Sequence, residues 1–278
     1  MKRKVLWAAV VILTVIVVFG VKLYHDAGEF RKIESHCACA CEKIPGITGA
    51  EDITVDRTTG IAFISADDRY AAMKGRAVRG ALYSMDLNER APRPREISAG
   101  FGKDFHPHGI SLYRDRSGAV LLFVVNHRGD GPFVEIFEYR AGALVHRESV
   151  GHPLMHSPND VLAVGPRSFY ATNDHGASTP FGRTMEDYLQ RANSYVVYFD
   201  GKDMKIAAGG FAYANGIAMS ADGATVYVAA TVGKSVSVFR RDAATGSLSF
   251  ASSINVGTGV DNIELDAAGA LWVAAHPK

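Results

Sequence analysis

Residues 157–165 read SPNDVLAVG, an aliphatic, strand-forming run that opens on the bare pair Asn159-Asp160. Asn and Asp are poor in strands and common in turns, so a single pair of this kind is explained by a turn feeding a strand. The arrangement is not single. A pair of polar or small residues followed by an aliphatic one occurs at Glu51-Asp52-Ile53, His108-Gly109-Ile110, Asn159-Asp160-Val161, Asn215-Gly216-Ile217 and Asp261-Asn262-Ile263. The intervals between first residues are 57, 51, 56 and 46. Each aliphatic residue leads into one strand and then a second, as in NGIAMSADGATVYVAA, with hairpin-type Asp-Gly or Ala-Gly turns between them.

Other short runs rich in Val, Ile, Phe and Tyr lie between the pairs: 59–67, 119–127, 134–145, 224–231 and 235–242. No strongly amphipathic helix stands out, and RTMEDYLQRAN (183–193) reads as a short helix in a loop. A repeat of this length with several strands in each copy is a propeller pattern. The first strand of each propeller blade lines the central channel, so the five pairs are expected to converge at one end of it. Together they bring Glu51, Asp52, Asn159, Asp160, Asn215, Asp261 and Asn262. Four carboxylates crowded with three amides repel one another unless a cation neutralises them. Six to eight oxygens of mixed carboxylate and amide type suit calcium better than magnesium.

The second pair carries His108 in place of an oxygen ligand, and His127 follows 19 residues later at the end of the next strand. A hairpin of that length returns the chain to where it began. A neutral imidazole beside calcium and a second imidazole is suited to take a proton from water. His106, His152, His156, His175 and His276 also fall near blade ends, so one of them remains an alternative. No G-x-S-x-G, P-loop or H-E-x-x-H is present.

The chain has 278 residues with 30 Lys+Arg and 29 Asp+Glu, interspersed, so its charge gives no reason to expect nucleic acid. Lys2-Arg3-Lys4 precedes a 17-residue apolar run from Val5 to Val21, close to the lower limit for crossing a bilayer. No small-residue cleavage site follows, which favours a retained signal anchor over a cleaved signal. The basic cluster then stays cytoplasmic and the remainder lies on the extracytoplasmic side, or is secreted if the segment is cleaved. The expected organisation is an anchor over 1–24, a linker over 25–44 and an all-β propeller over 45–278. All three cysteines, Cys37, Cys39 and Cys41, fall in the linker beside His36. No distant Cys pair completes a zinc site, which leaves a free thiol, an intermolecular bridge or lipidation.

The segments AEDITVD, HPHGISLY, LFVVNH, VEIFEY, SPNDVLAVGPRSFYATNDH, YANGIAMSADGATVYVA and VDNIELDAAGALWVAAHP resemble the paraoxonase/arylesterase family from Glu51 to Pro277. The resemblance implies a six-bladed propeller and calcium-dependent hydrolysis of lactones and aryl or carboxylic esters. It implies a catalytic calcium on Glu51, Asn159, Asn215, Asp261 and Asn262. It implies a structural calcium on Asp52, Asp160 and the carbonyl of Ile110. His108 and His127 match the family's histidine dyad, which activates water while calcium polarises the carbonyl. The segment 70–80 matches an active-site loop, which makes Tyr70 and Met73 candidates for contact with an acyl chain. Two departures accompany it. The fifth pair leaves room for two strands of a fifth blade, so the propeller is expected to be incomplete at its C-terminal end. Cys39 or Cys41 matches the first cysteine of the family's disulfide, and the second has no counterpart. Two alternatives follow: a calcium-binding propeller that binds without turnover, or an enzyme of the gluconolactonase or strictosidine-synthase-like type.

Overall fold

The computed structural model describes residues 2–32, 34, 41–102 and 104–276. It divides into two compact units, Met1–Cys41 with His276–Lys278, and Glu42–Ala275. In the first, helix α1 (Lys2–Asp26) has no buried residue and is long and apolar enough to cross a membrane. Cys37 and Cys39 lie outside the described residues, and Cys41 is exposed.

The second unit is a propeller of antiparallel meanders. The first blade holds β1 (Ala50–Asp56), β2 (Ile61–Ala66), β3 (Ala81–Asp86) and β4 (Arg95–Glu96). The second holds β5 (Pro107–Arg114), β6 (Val120–Arg128), β7 (Gly131–Arg140) and β8 (Ala143–Val150). The third holds β9 (Pro158–Ala163), β10 (Phe169–Asn173), β11 (Ser194–Phe199) and β12 (Met204–Phe211). The fourth holds β13 (Ala214–Met219), β14 (Thr225–Ala230), β15 (Ser235–Arg241) and β16 (Leu248–Asn255). A two-stranded sheet of β17 (Gly259–Leu265) and β18 (Leu271–His276) follows, matching the room left after the fifth pair. The innermost strands β1, β5, β9, β13 and β17 stand side by side in that order.

The core lies between blades. Phe63, Leu82 and Phe105 pack on Leu122, Val124 and Phe137 between the first and second. Phe123, Val125 and Ile136 pack on Val161, Phe169 and Val197 between the second and third. Tyr170, Val196 and Tyr198 meet Ile217, Val226 and Val228 between the third and fourth, and Val236 meets Val260 and Ile263 beyond. Both faces of the second, third and fourth blades are therefore buried, which is why their strands read as aliphatic runs rather than clean alternations.

Two segments differ from the sequence reading. The run 134–145 is not one strand: it turns at Ala141-Gly142, whose φ values of 50° and 81° give the two positive angles a tight two-residue hairpin needs. The short helix, α3 (Pro180–Tyr188), begins three residues earlier than expected, because Thr179 caps it by accepting from Gly182 N–H and Pro180 occupies its first turn. Within 70–80, Arg69–Met73 forms a one-turn helix, α2, capped by Asp68.

Candidate metal centre and active site

The first four pairs occupy the same bulge. Between Ala50 and Ile53, Pro107 and Ile110, Pro158 and Val161, and Ala214 and Ile217, two residues of the innermost strand oppose one of its neighbour. A bulge adds one residue and bends the strand, so adjacent side chains diverge. The pairs divide accordingly. Asp52, Ile110 and Asp160 line an axial cavity of about 480 Å³ that runs down the innermost strands. Glu51, His108, Asn159, Asn215, Asp261 and Asn262 do not line it.

All but Asn159 of these residues make a polar contact with another of the group. His108 Nε2 stands 3.0 Å from Glu51 Oε1, and His108 Nδ1 stands 2.9 Å from His127 Nε2. Asn215 Nδ2 donates to Asp261 Oδ1 (2.6 Å) and Thr231 Oγ1 (3.0 Å). Asn262 Nδ2, on β17, donates to the Glu51 carbonyl of β1 at 3.0 Å. In both amides the NH2 is taken by a named acceptor and the oxygen is left without a donor. Four buried oxygens, Glu51 Oε2, Asn159 Oδ1, Asn215 Oδ1 and Asn262 Oδ1, have no hydrogen-bond donor. Buried polar atoms are normally satisfied, and four orphaned acceptors in one place fit a hard cation. Among the described residues, His, Cys, Asp and Glu alone form no metal cluster; the amides complete the set.

The deeper carboxylates serve the backbone. Asp52 accepts from Ile110 N–H and Ile53 N–H, both at 2.8 Å. Asp160 does the same one step round, accepting from Ile217 N–H at 2.8 Å and Val161 N–H at 2.7 Å. Each Asp thus reaches over the glycine of the next pair. A Cβ on Gly109 would overlap Asp160 itself and lie 2.8 Å from the Asn159 carbonyl, and one on Gly216 would lie 2.7 Å from the Asp261 carbonyl. The glycines are required by this close approach of backbone to backbone.

The electrostatics are those of an uncompensated anionic nest. Burial pushes Glu51 up to about 7, against the lowering influence of Arg69. Asp52 is pushed up to about 7 by burial and by Glu51, and Asp160 well above its ordinary value by burial and by Asp52. The imidazoles move the other way. Burial, aided by Arg69, lowers His108 to about 3, and burial with the neighbouring His108 lowers His127 to about 3. Both are therefore neutral at pH 7, the state a base requires.

Of the two substrate candidates, Tyr70 lines a cavity at the mouth together with Glu51, Asp67 and Arg69. Met73 is 85% exposed and lines no described cavity. Several residues at the site escaped the sequence reading. Arg69 Nη2 lies 3.7 Å from Glu51 Oε1. Asp174 accepts from Ser157 Oγ and lies 2.7 Å from His175 Nδ1, while His175 Nε2 lies 3.0 Å from Asp187 on α3. Tyr213 packs edge-on to His175 with a positive φ of 66°. His175 is among the alternative histidines of the sequence reading; it follows the second strand of its blade, with Asp174 beside it.

The arylesterase family model matches residues 32–278. The chain is 40% identical over 257 residues to serum paraoxonase/arylesterase 2 of Rattus norvegicus, covering 89% of this chain and 72% of that one. It is 38% identical over 239 residues to serum paraoxonase/lactonase 3 of Homo sapiens, covering 83% and 67%. Among solved structures, a putative gluconolactonase matches with a TM-score of 0.54 at 15% identity, covering 83% of this chain and 72% of that chain. That likeness concerns the propeller fold alone.

Proposed function

The chain belongs to the arylesterase family, and from that membership we propose that it hydrolyses aryl esters and lactones at the blade-start end of its channel, dependent on calcium. Glu51, Asn159, Asn215, Asp261 and Asn262 would hold a catalytic ion through their oxygens. Asp52, Asp160 and the Ile110 carbonyl would hold a second, structural ion. When bound, calcium polarises the carbonyl of the substrate and steadies the charge that develops on its oxygen. The observation that carries this reading is the group of four buried oxygens without donors.

His108 takes the proton of the attacking water at Nε2. That requires its own proton to sit on Nδ1, donated to His127 Nε2 across the 2.9 Å contact. His127 accepts that hydrogen bond and disperses the charge as the imidazolium forms. With a cation on its oxygens Glu51 would be ionised, its proton released to solvent, and Nε2 would be free to accept from water. Tyr70 lies beside the substrate at the mouth. Helix α1 serves as a retained anchor with the propeller on the extracytoplasmic side, which gives an anchor over 1–24, a linker over 25–44 and a catalytic propeller over 45–278.

The test is hydrolysis of phenyl acetate and of an aliphatic lactone by the full chain, with calcium and after chelation. Turnover of both that disappears on chelation and returns with calcium supports the reading. Turnover indifferent to the chelator removes calcium from it, and no turnover of any ester or lactone removes the activity.

A further inference from the structure

The first four blades close their inner hairpins alike. Ala66, Asn126, Asn173 and Ala230 stand opposite Ala50, Pro107, Pro158 and Ala214 at the edge of the bulge. The residue after each donates its N–H back across the hairpin: Asp67 to the Gly49 carbonyl at 3.0 Å, His127 to His106 at 3.1 Å, Asp174 to Ser157 and Thr231 to Tyr213 at 2.9 Å. Alanine suffices in the first and fourth blades, so this closure needs no polar side chain. The asparagines of the second and third are additions. Each takes one more N–H from the opposing segment, Asn126 Oδ1 that of His106 at 2.8 Å and Asn173 Oδ1 that of Ser157 at 3.1 Å.

The two asparagines differ at their NH2 groups. Asn173 Nδ2 is buried without a partner, whereas Asn126 Nδ2 donates to Glu135 Oε1 at 3.1 Å. Asn126 and Glu135 are both fully buried, and Glu135 Oε2 is met by His146 Nε2 at 2.9 Å and by Ser149 Oγ. A buried carboxylate is costly unless its partners are in place, and this one fixes which way the amide faces: NH2 toward Glu135, oxygen toward His106. Asn126 precedes His127, and His106 lies two residues before His108, so this bond spans the two histidine-bearing segments. Pro107 has no N–H to offer the ladder, and the bulge at His108-Gly109 shifts its register. The bonds at His106 reinforce the pairing of β5 with β6 where it is weakest. We propose that Asn126, oriented by Glu135, is a positioning residue that fixes the 2.9 Å contact between His108 and His127. This rests on the dyad reading above.

The experiment compares the full chain in calcium with Asn126→Ala, Asn126→Asp and the double variant Asn126→Asp/Glu135→Gln. It reads kcat and KM for phenyl acetate below the melting temperature of each protein, and the imidazole nitrogens by NMR. Asn126→Ala should lower kcat by about tenfold to a hundredfold with KM within about twofold, as a displaced reacting group does. Asn126→Asp keeps the acceptor for His106 but sets a second carboxylate against Glu135, and should lose kcat comparably. In the double variant the new amide donates to the new carboxylate, and kcat should return to within about threefold of the unaltered chain, the coupling expected of two residues in one network. Where Asn126→Ala does not fold, the single and double Asp variants decide. A folded Asn126 variant with kcat within about twofold of the unaltered chain overturns the proposal, and so does a double variant no better than Asn126→Asp. If the unaltered chain turns over neither ester nor lactone, the dyad reading falls and the spectra alone decide the positioning. A His108 Nδ1 proton that is hydrogen-bonded in the unaltered chain and released in the Asn126 variants supports it, and identical spectra overturn it.

Discussion

Glu51 keeps one carboxylate oxygen beside His108 and leaves the other buried without a donor, and the consequences of that imbalance are measurable one side chain at a time. His108→Gln keeps a polar side chain of similar reach but cannot take a proton. It should lower kcat by roughly 10²–10⁴-fold, the usual worth of a general base, while the calcium dependence of the melting temperature persists. Steady-state kinetics and a melt of the same sample check both halves. The raised carboxylates set a pH dependence. Glu51 and Asp52 have ordinary values near 4 and are pushed to about 7, so without calcium the folded state holds more protons than the unfolded one between those limits. Stability then falls as pH rises through that window. Calcium displaces those protons, so the rise in melting temperature that it causes should grow from pH 5 to pH 8. Melts with calcium and with chelator across that range check it, and a pH-independent increment would count against these carboxylates as ligands. Below pH 6.5 the two depressed histidines add the opposite trend, since only the unfolded chain protonates them readily. The residues proposed as oxygen ligands, and His108, sit at a fixed offset in the repeat, and the closeness of His127 to His108 was legible from the hairpin between them. Arg69 and Asp187 were not, because their approach to the site depends on α2 and α3, whose positions no periodicity encodes.

At the scale of the element, the recurring unit is the bulged strand start. Gly109 and Gly216 sit where the following innermost strand presses closest, so Gly109→Ala must displace Asp160 and should cost about 1–3 kcal/mol, the usual range for overpacking. Chemical denaturation with calcium present measures it. Ala141 offers the reverse case. Its φ of 50° in a tight turn suits Asn or Gly better than Ala, and Ala141→Gly should raise the denaturation midpoint slightly. The sequence reading found the strands, because aliphatic runs buried on both faces are conspicuous. It merged β7 with β8 because Arg140-Ala141-Gly142-Ala143 carries no Asn or Asp and only one glycine. The bulges were likewise invisible: a pair of polar residues signals a turn as readily as an added residue in a strand.

At the scale of the molecule, cohesion comes from apolar contacts between successive blades and from the axis where their first strands meet. Calcium bound only by the folded chain should stabilise it by about 4 kcal/mol at a thousandfold excess over its dissociation constant. A melt with calcium and with chelator reads this directly. The propeller class was legible from the spacing of five pairs, and the order of innermost strands followed from it. The bulge that separates Asp52 from Glu51 and Asp160 from Asn159 was not, and the same separation was available only through the family resemblance.

The two aspartates that reach across their neighbouring glycines have one further consequence. Asp52 holds the amide hydrogen of Ile110, and Asp160 that of Ile217. Those two hydrogens are thereby enclosed by the same carboxylates that face the axial cavity. Their replacement by deuterium requires the blades to part at the axis, so they act as paired clocks. In the calcium-loaded protein both should be among the last to exchange; on chelation both should quicken together, marking an opening of the axis while the outer strands remain protected.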